Sequence, residues 1–396
     1  MNEYKRLRFT LYPTGLFVGF AISLLIPSIG VVQKYLGILG VAVYIAIASL
    51  VLLIGYKYVF TRFASMVTDK QILWLTSATF LFLLVVFFLV YPLANSGVLG
   101  KGSDRDEALN IATTELLKGR YPYYPKTYLG NPISPLPGSL LLAVPFVLLG
   151  NSAYQNFFWL FAFLFGMSSF FQDRRLALLL LLVILALSPV VLREFMTGGD
   201  FLANSIFVLL FVIWMVSAIP QPRFSSWRKS LLAVFLGVGL ASRANFILIL
   251  PLVFSALMQS AGWKSAAKYS AITCLTLGLI VVPFYLYDPQ GFSPLHTVNK
   301  LAQFQSVLPF AGIIVPLVTG VVASTLSLQQ NSNLHVLLRN CAIVLALPVL
   351  SGTILQSIKT ANLDFSFTDF GLSFLFFGAV AFSPILYGNN RSATYR

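Results

Sequence analysis

The sequence ILWLTSATFLFLLVVFFLVYPL, residues 72–93, contains no charged side chain. About 20 apolar residues in an α-helix cross the hydrocarbon core of a bilayer, so this run predicts a membrane-spanning helix. Together with similar runs elsewhere, it predicts an all-α, polytopic integral membrane protein with about 12 transmembrane helices. The other runs are 12–32, 36–55, 153–171, 176–192, 200–219, 230–242, 245–259, 266–287, 305–326, 340–358 and 366–388.

The composition agrees with this fold class. Hydrophobic residues make up 58% of the chain and charged residues only 10%, which excludes an ordinary soluble domain. Because no polar segment is long enough to fold separately, residues 1–396 are predicted to form a single transmembrane domain. Residues 1–70 are interpreted as an accessory N-terminal hairpin that begins with a membrane anchor rather than a cleaved signal peptide. Residues 95–150 are predicted to form a large external loop.

The basic residues are divided unevenly between the predicted loops. If the N-terminus is cytoplasmic, the inside loops hold 16 of the 26 basic residues and three of the 12 acidic ones. This asymmetry is typical of integral membrane proteins, whose cytoplasmic loops are positive. It predicts a multi-pass protein of the cell membrane with cytoplasmic N- and C-termini and an extracytoplasmic 95–150 loop. Because the basic residues form no stripe, the net charge of +14 does not predict nucleic-acid binding.

One short apolar stretch inside the external loop, Leu136–Leu149, is bracketed by prolines and a glycine. At about 14 residues it is too short for an ordinary span. If it crossed the membrane, Arg174 and Arg175 would move to the outside, against the charge bias. We therefore expect an interfacial or re-entrant helix here, and surface helices in the external loop.

The same loop collects carboxylates, namely Asp104, Asp106, Glu107 and Glu115. Carboxylates held at a membrane surface beside aromatic residues suit acid–base chemistry on a polar, lipid-linked substrate. Acidic residues in the first turn of a helix also interact favourably with the helix dipole. A capped interfacial helix without catalytic function therefore remains an alternative interpretation.

The sequence predicts no cofactor and no dedicated metal site. Cys274 and Cys341 lie inside apolar runs, and no cluster of histidine and cysteine accompanies the acidic residues. Carboxylate oxygens at Asp104 and Asp106 nevertheless suit a hard divalent cation, so that alternative stays open.

A series of motifs follows the predicted span at 72–93. After the acidic start of a helix come Leu-Leu-x-Gly at 116–119, Tyr-Pro-Tyr-Tyr at 121–124, Pro-x-x-Pro-Leu-Pro-Gly at 132–138 and Pro-Phe-Val-Leu-Leu-Gly at 145–150. This order resembles the GT-C superfamily of polytopic membrane glycosyltransferases, in particular its mannosyl- and arabinosyltransferase-like branches. The resemblance covers about residues 72–300. Two predicted spans before the loop, rather than one, depart from the commonest pattern.

The resemblance implies an enzymatic function and indicates which residue acts as general base. Enzymes of this superfamily use a sugar carried on polyprenyl phosphate, and a carboxylate of the first external loop acts as general base on the acceptor hydroxyl. By motif position, this base falls on Asp106 or on Asp104, with Glu107 beside them. The resemblance also implies that Asp200, in the segment from Arg193 to Asp200, orients the acceptor or the catalytic residues; a helix N-cap is the alternative role for Asp200.

Other candidate binding residues follow from charge and aromatic character. Arg243 is an isolated arginine between two short apolar runs, and its planar fork suits a lipid phosphate, although an interfacial arginine reaching to headgroups has the same pattern. Tyr121, Tyr123 and Tyr124 suit stacking on sugar faces or a position at headgroup level. Further candidates for contacts with phosphate or acceptor are Arg105, Lys126, His296 and Lys300.

The sequence therefore predicts an inverting glycosyltransferase that moves one sugar on the extracytoplasmic side. Its expected partners are a polyprenyl-phosphate-linked sugar donor, a lipid or glycan acceptor and the lipid bilayer. The alternative is a transporter or flippase for a lipid-linked or anionic solute. That class favours charged residues near the bilayer midplane and hydropathy symmetry between halves, whereas most charges here lie at the ends of apolar runs.

Overall fold

A computed structural model describes residues 13–96, 103–295 and 300–387 of the chain. Within these ranges the secondary structure is helical, and the pairing of Lys126 with Pro132 is an isolated β-bridge. The protein is therefore all-α, as the sequence predicts. The first helices are α1 (Pro13–Leu25), α2 (Ile29–Ile54), α3 (Thr61–Met66), α4 (Asp69–Asn95), α5 (Arg105–Leu117), α6 (Pro137–Leu148), α7 (Gln155–Phe171) and α8 (Arg174–Leu187).

The remaining helices complete a bundle around the middle of the chain. They are α9 (Pro189–Met196), α10 (Asp200–Ala218), α11 (Ser226–Leu240), α12 (Leu250–Ala261), α13 (Trp263–Tyr287), α14 (Ala311–Leu328), α15 (Leu334–Thr360) and α16 (Leu372–Ala381). Short 3-10 turns join several of them, including Ala244–Ile249 before α12 and Ser366–Phe370 before α16.

Seven helices of the described ranges are long and apolar enough to cross a membrane, so the chain is a membrane protein. They are Thr14–Phe60, Asp69–Ala94, Asp200–Ala218, Ala244–Ala261, Trp263–Tyr287, Ala311–Leu328 and Leu334–Thr360. Up to nine spans result if each of two bent helix pairs counts as one. The predicted number of about 12 is not reached among these residues.

The number of spans differs from the prediction because some apolar runs are joined in one helix and others are divided by turns, which composition does not show. The predicted runs 12–32 and 36–55 fall in the single helical stretch Thr14–Phe60. The predicted run 366–388 is instead divided among a 3-10 turn at Ser366–Phe370, the ten-residue helix α16 and a second turn. All ten residues of α16 are buried by protein, so its hydrophobicity reflects the core rather than a span through lipid.

The short apolar stretch at Leu136–Leu149 forms α6, which does not continue in line with α7. The axes of the two are bent by 101° at a break that contains Gly150, whose φ is +109°. Two prolines at the start of the stretch and this left-handed glycine at its end limit the helix to 12 residues. Such a bend is expected of an interfacial or re-entrant helix.

The centre of the bundle is α10, in which 89% of the residues are buried inside the protein. A helix that is apolar on all sides requires protein or lipid all around it, and α10 obtains this from α7, α11 and α16. In contrast, only 17% of α4 and 11% of α13 are buried. Their exposed leucine, valine and phenylalanine side chains indicate faces that contact the lipid bilayer.

The N-terminal region packs against elements from the middle and the end of the chain. Phe20 and Leu24 are fully buried in the main core. The Ser188 hydroxyl donates to the Leu24 carbonyl at 2.9 Å, and the Gly30 amide donates to the Thr368 hydroxyl at 2.8 Å. These bonds hold α1 and α2 against the turns on which several charged residues described below are carried. The division at residue 70 stays a prediction.

Candidate functional site

The helix that the sequence predicts at the acidic start of the 95–150 loop is α5, and one of its faces is packed into the protein. Leu109 and Ala112 are fully buried against α6, where they contact Leu140 and Ala143. This packing fixes the rotation of the helix, so the side chains of its first turn have defined directions. Asp104 is the N-cap residue, but its side chain makes no capping hydrogen bond and is turned toward another segment.

One carboxylate oxygen of Asp104 accepts hydrogen bonds, and the other accepts none from the described residues. Its Oδ2 accepts hydrogen bonds from the Thr127 hydroxyl at 2.6 Å and from the Asn131 side-chain amide at 2.7 Å. No residue in the described ranges donates to Oδ1. Thr127 and Asn131 belong to a tight turn that needs the left-handed φ of +76° at Gly130. The turn thus orients a carboxylate that keeps one free acceptor.

Asp106 lies deeper than Asp104. It is only 4% exposed, and its Oδ2 accepts a hydrogen bond from the Tyr91 hydroxyl at 2.6 Å. Tyr91 comes from the last turn of α4, so this bond joins the first turn of α5 to a span. Glu107 is more exposed than Asp106, and its Oε2 accepts from the Tyr128 amide at 2.8 Å. The three carboxylates of the motif therefore have different surroundings.

The Gly-Gly segment between α9 and α10 lies directly against these carboxylates. A Cβ at Gly198, where φ is +70°, would lie 2.8 Å from the Tyr91 ring and 3.2 Å from the Asp106 Cβ. A Cβ at Gly199 would lie 2.3 Å from the Glu194 Oε1. Both glycines are thus required by close approach, and the segment packs beside Asp106 and Glu194.

Glu194 is 1% exposed and neutralises Arg105. The Arg105 Nη1 donates to both carboxylate oxygens of Glu194, at 2.7 and 2.9 Å, and the Phe201 amide donates to Oε1 at 3.1 Å. The Nε and Nη2 atoms of Arg105 donate to no residue in the described ranges. Arg105 is therefore anchored at one end of its guanidinium and has hydrogen-bonding capacity left at the other.

Asp200 and Arg243 form a second, deeper pair. Asp200 is fully buried and Arg243 is 7% exposed. The Arg243 Nη2 donates to the Asp200 Oδ1 at 2.6 Å, and its Nη1 donates to the Ser134 hydroxyl at 3.0 Å. Asp200 also accepts from the Asn204 side-chain amide at 2.8 Å. The guanidinium fork of Arg243, which the sequence suggested for a lipid phosphate, is thus occupied by a carboxylate.

A third ion pair joins α9 to the turn before α16, and no local sequence pattern predicts it. The Arg193 Nη1 donates to the Asp369 Oδ2 at 2.9 Å, and both side chains are less than 20% exposed. Asp369 belongs to the turn Ser366–Phe370, which α2 supports through Gly30. We call these three pairs, Arg105–Glu194, Arg243–Asp200 and Arg193–Asp369, the inner ion-pair cluster.

The rings of Phe201 and Phe370 lie against cations of this cluster and against Lys300. The Phe201 ring centroid lies 4.7 Å from the guanidinium carbon of Arg105 and 4.6 Å from that of Arg243. The Phe370 centroid lies 5.1 Å from the same atom of Arg105 and 5.3 Å from the Lys300 Nζ. Cations at these distances are attracted by the ring quadrupole. Residues from five separate segments therefore place three positive charges side by side.

Lys300 is the cation of this group without an acidic partner in the described ranges. Burial, and then repulsion from Arg105 and Arg243, lower the pKa of its ammonium, while the charge of Asp104 opposes that shift. The residue nevertheless remains exposed at its outer side. We call Asp104 and Lys300 the open rim, because each has a polar atom that no described side chain satisfies.

The tyrosines divide into a buried and an exposed group. Tyr123 is 3% exposed and packs on Phe292, with ring centroids 5.1 Å apart. Tyr124 is 60% exposed and contacts the ring of Tyr121 at 4.7 Å. Tyr128, which the sequence did not single out, is 55% exposed, and burial followed by the charges of Asp104, Asp106 and Glu107 raises the pKa of its phenol. An exposed ring thus lies beside all three carboxylates.

Two remaining candidates are separate from this group. Lys126 is exposed, and its ammonium makes no hydrogen bond or ion pair with a described residue. His296 lies outside the described residues. Tyr91, Phe201, Asp369 and Phe370 were missed because each lies within or beside an apolar run, where nothing local distinguishes a site residue from a core residue.

The described residues contain no group of three or more His, Cys, Asp or Glu side chains that suits a metal ion. No protein-family model, curated protein or solved structure matches the chain. The arrangement itself is what bears on function: the Asp104 carboxylate with one open oxygen lies near Arg105 and Lys300, cations with N–H groups that donate to no described residue.

Proposed function

We propose that this chain is a GT-C-like membrane glycosyltransferase that moves a sugar from a polyprenyl-phosphate donor to a hydroxyl acceptor on the extracytoplasmic side. The observation that carries the proposal is the open rim. Lys300 lies close enough to Asp104, Arg105 and Arg243 for their charges to interact. A carboxylate with an open oxygen near an ammonium without an acidic partner suits a nucleophile and an anionic leaving group that react together.

The carboxylate pair Asp104 and Asp106 supplies the general base. As the acceptor hydroxyl attacks the anomeric carbon, one carboxylate takes its proton and the bond from that carbon to the phosphate oxygen breaks, with inversion. Accessibility favours Asp104, whose Oδ1 is open, while the motif resemblance and the position in the first helical turn favour Asp106. Glu107 holds the turn at Tyr128 and has a supporting role.

Lys300 and the outer edge of Arg105 receive the phosphate. The leaving group gains negative charge in the transition state, and preorganised cations in a site with little water stabilise that charge most strongly. Arg243 contributes at a distance, because Asp200 and Ser134 already occupy its donors. It fixes Phe201, against which Arg105 lies.

The acceptor side is formed by the turn at 127–131. This turn is bonded to Asp104 through Thr127 and to Glu107 through the Tyr128 amide, so the exposed Tyr128 ring has a fixed position relative to both carboxylates. An aromatic face of this kind suits the apolar face of a sugar or the isoprenoid end of a lipid acceptor.

The positions of the charges favour an enzyme over a transporter. Asp200 begins α10, Arg105 begins α5 and Arg243 lies in the break between α11 and Ala244–Ile249. Asp200 and Arg243 thus lie at the ends of the candidate spans Asp200–Ala218 and Ala244–Ala261, whereas coupling sites of transporters lie near the middle of the membrane.

The direct test uses the full-length protein in liposomes. Polyprenyl phosphates carrying mannose, arabinose or glucose are supplied with a membrane lipid extract as acceptor, and release of free polyprenyl phosphate is measured. We expect release with at least one donor, and donor binding at least about tenfold weaker in Lys300→Gln, which loses a charged contact. Lys359→Gln, at the same end of the bundle but in contact with Phe304 and Gln303, is the matched control. Movement of intact donor across the bilayer without release would contradict the proposal and support a flippase.

A further inference from the structure

A cavity in the described protein lies away from the carboxylates. It has a volume of about 220 Å³ and lies between the beginning of α4 and the helices α7 and α8. Its lining residues are Asp69, Ile72, Leu73, Thr76, Phe161, Leu164, Phe165, Ser168 and Arg174. Because α4 reaches the candidate site at Tyr91, near its other end, about 30 Å of helix separates Ile72 from that residue. We call this cavity the α4–α7 groove.

The α4–α7 groove has an apolar body. Ile72 and Leu164 are each 7% exposed and form its floor. Leu73, Phe161 and Phe165 are between 58% and 67% exposed and form its sides, on surfaces that belong to an apolar span or a bent apolar pair. In a bilayer these surfaces face hydrocarbon, so the groove opens laterally to lipid chains rather than to water.

One end of the α4–α7 groove is polar and basic. Arg174 lines it and makes no hydrogen bond or ion pair with a described residue. Its neighbour Arg175 donates to Asp69 at 3.3 Å, so the only acidic side chain of the lining already has a cation beside it. Thr76 and Ser168 add hydroxyl groups to the lining. A cation without a partner at the mouth of an apolar groove is complementary to an amphiphile with an anionic head.

We infer that the α4–α7 groove binds one anionic phospholipid, with an acyl chain between α4 and α7 and the phosphate at Arg174. A guanidinium binds phosphate through paired, charge-assisted hydrogen bonds, which a zwitterionic headgroup offsets with its own cation. The positive-inside asymmetry places this end of α4 on the cytoplasmic side, where anionic lipids attract basic side chains near the membrane surface. The inference does not depend on the glycosyltransferase proposal.

The test is a lipid titration of the full-length protein, delipidated in detergent and observed by native mass spectrometry. We expect phosphatidylglycerol to bind at least about fivefold more tightly than phosphatidylcholine, a ratio that corresponds to one basic residue at a membrane surface. Arg174→Gln should remove most of that preference. Ser168→Phe, which fills the groove and leaves Arg174 in place, should weaken binding of both lipids.

Arg223→Gln is the matched control. Arg223 is also in a loop of the predicted cytoplasmic side, but its guanidinium contacts the Phe224 ring and does not line the α4–α7 groove, so we expect wild-type binding of phosphatidylglycerol. Thermal unfolding of each variant, measured without added lipid, separates loss of binding from loss of fold. An unchanged lipid preference in folded Arg174→Gln would overturn the inference. Equal affinity for inorganic phosphate would also overturn it, because the acyl chain would then contribute nothing.

Discussion

The Arg243–Asp200 pair of the inner ion-pair cluster and the open rim contain the same kinds of side chain but differ in how completely their polar atoms are hydrogen-bonded. In the cluster, Asp200 is fully buried and accepts from Arg243 and Asn204. In the rim, Asp104 keeps Oδ1 open, and the Lys300 ammonium lies over the Phe370 ring without an acidic partner among the described residues. The difference shows that charge density alone does not identify reacting groups. Charged groups that are fully paired with one another determine the shape of a site, whereas charged groups with unpaired donor or acceptor atoms can bind a substrate.

The largest effect on stability is expected from breaking the deepest pair. Removing one partner of a buried ion pair leaves an uncompensated charge and costs about 3–5 kcal/mol. Asp200→Ala should therefore lower the free energy of unfolding by that amount in mixed-micelle equilibrium unfolding.

Asp69→Ala is the control for this prediction, because it removes an exposed ion pair with Arg175 and should cost less than about 1 kcal/mol. The double variant Asp200→Leu/Arg243→Met should recover much of the loss, since neither charge then remains buried. If Asp200→Ala were as mild as Asp69→Ala, the cluster would not be what holds this end of the bundle together.

A smaller effect is expected at the Gly-Gly segment. The Cβ of Gly199→Ala would lie 2.3 Å from the Glu194 Oε1, so Glu194 or the segment must shift, at a cost of about 1–3 kcal/mol. Gly320→Ala in α14 meets nothing within 4 Å and should be neutral or slightly stabilising. Thermal unfolding of both variants in the same detergent gives the comparison, and equal midpoints would contradict the packing described here.

Replacing Lys300 should change stability in the opposite direction from breaking an ion pair of the cluster. Its pKa is lowered from the ordinary 10.5, so the folded state disfavours the charged form, and stability rises as pH increases from the lowered value toward 10.5. Lys300→Met should therefore be as stable as wild type, or more stable, at neutral pH. Binding of the donor needs the charged ammonium. In wild type it should therefore weaken as the pH rises through the same range. Donor binding by Lys300→Met that matched wild type would show that Lys300 does not hold the phosphate.

The smallest effect is expected for Glu107→Gln. The amide oxygen of glutamine can still accept the hydrogen bond that Tyr128 now donates to Glu107. We expect stability within about 0.5 kcal/mol of wild type and a transfer rate reduced only a few-fold. A loss of transfer comparable to that of the aspartate variants would move the base assignment to Glu107.

The sequence predicts the positions of individual helices better than it predicts the number of membrane spans. Residues 72–93 and 200–219 correspond to α4 and α10, because a long apolar run has few alternatives to a helix in a membrane. Composition does not, however, separate residues buried by lipid from residues buried by protein, and it does not show bends. The run 366–388 therefore resembles a span in the sequence, although in the structure it is a short buried helix between turns.

For the candidate site, the sequence identified individual residues but not their pairing. Asp200 and Arg243 were each singled out, yet nothing in a local pattern predicts that residues 43 positions apart form an ion pair. Asp369 escaped notice because it lies in an apolar run, and its partner Arg193 is 176 positions away. Charge pairing of this kind is set by the packing of helices, which is a property of the whole fold.

The claim that the open rim performs the chemistry is tested most directly by comparing Asp104→Asn and Asp106→Asn in sugar transfer by the purified, reconstituted protein. Each change preserves side-chain size, so donor binding should persist. We predict that one of the two lowers the rate of polyprenyl phosphate release by about 10²–10⁴-fold, the usual contribution of a positioned general base, with Asp104 the residue whose open oxygen meets the geometric requirement. Wild-type transfer rates in both variants would contradict the account.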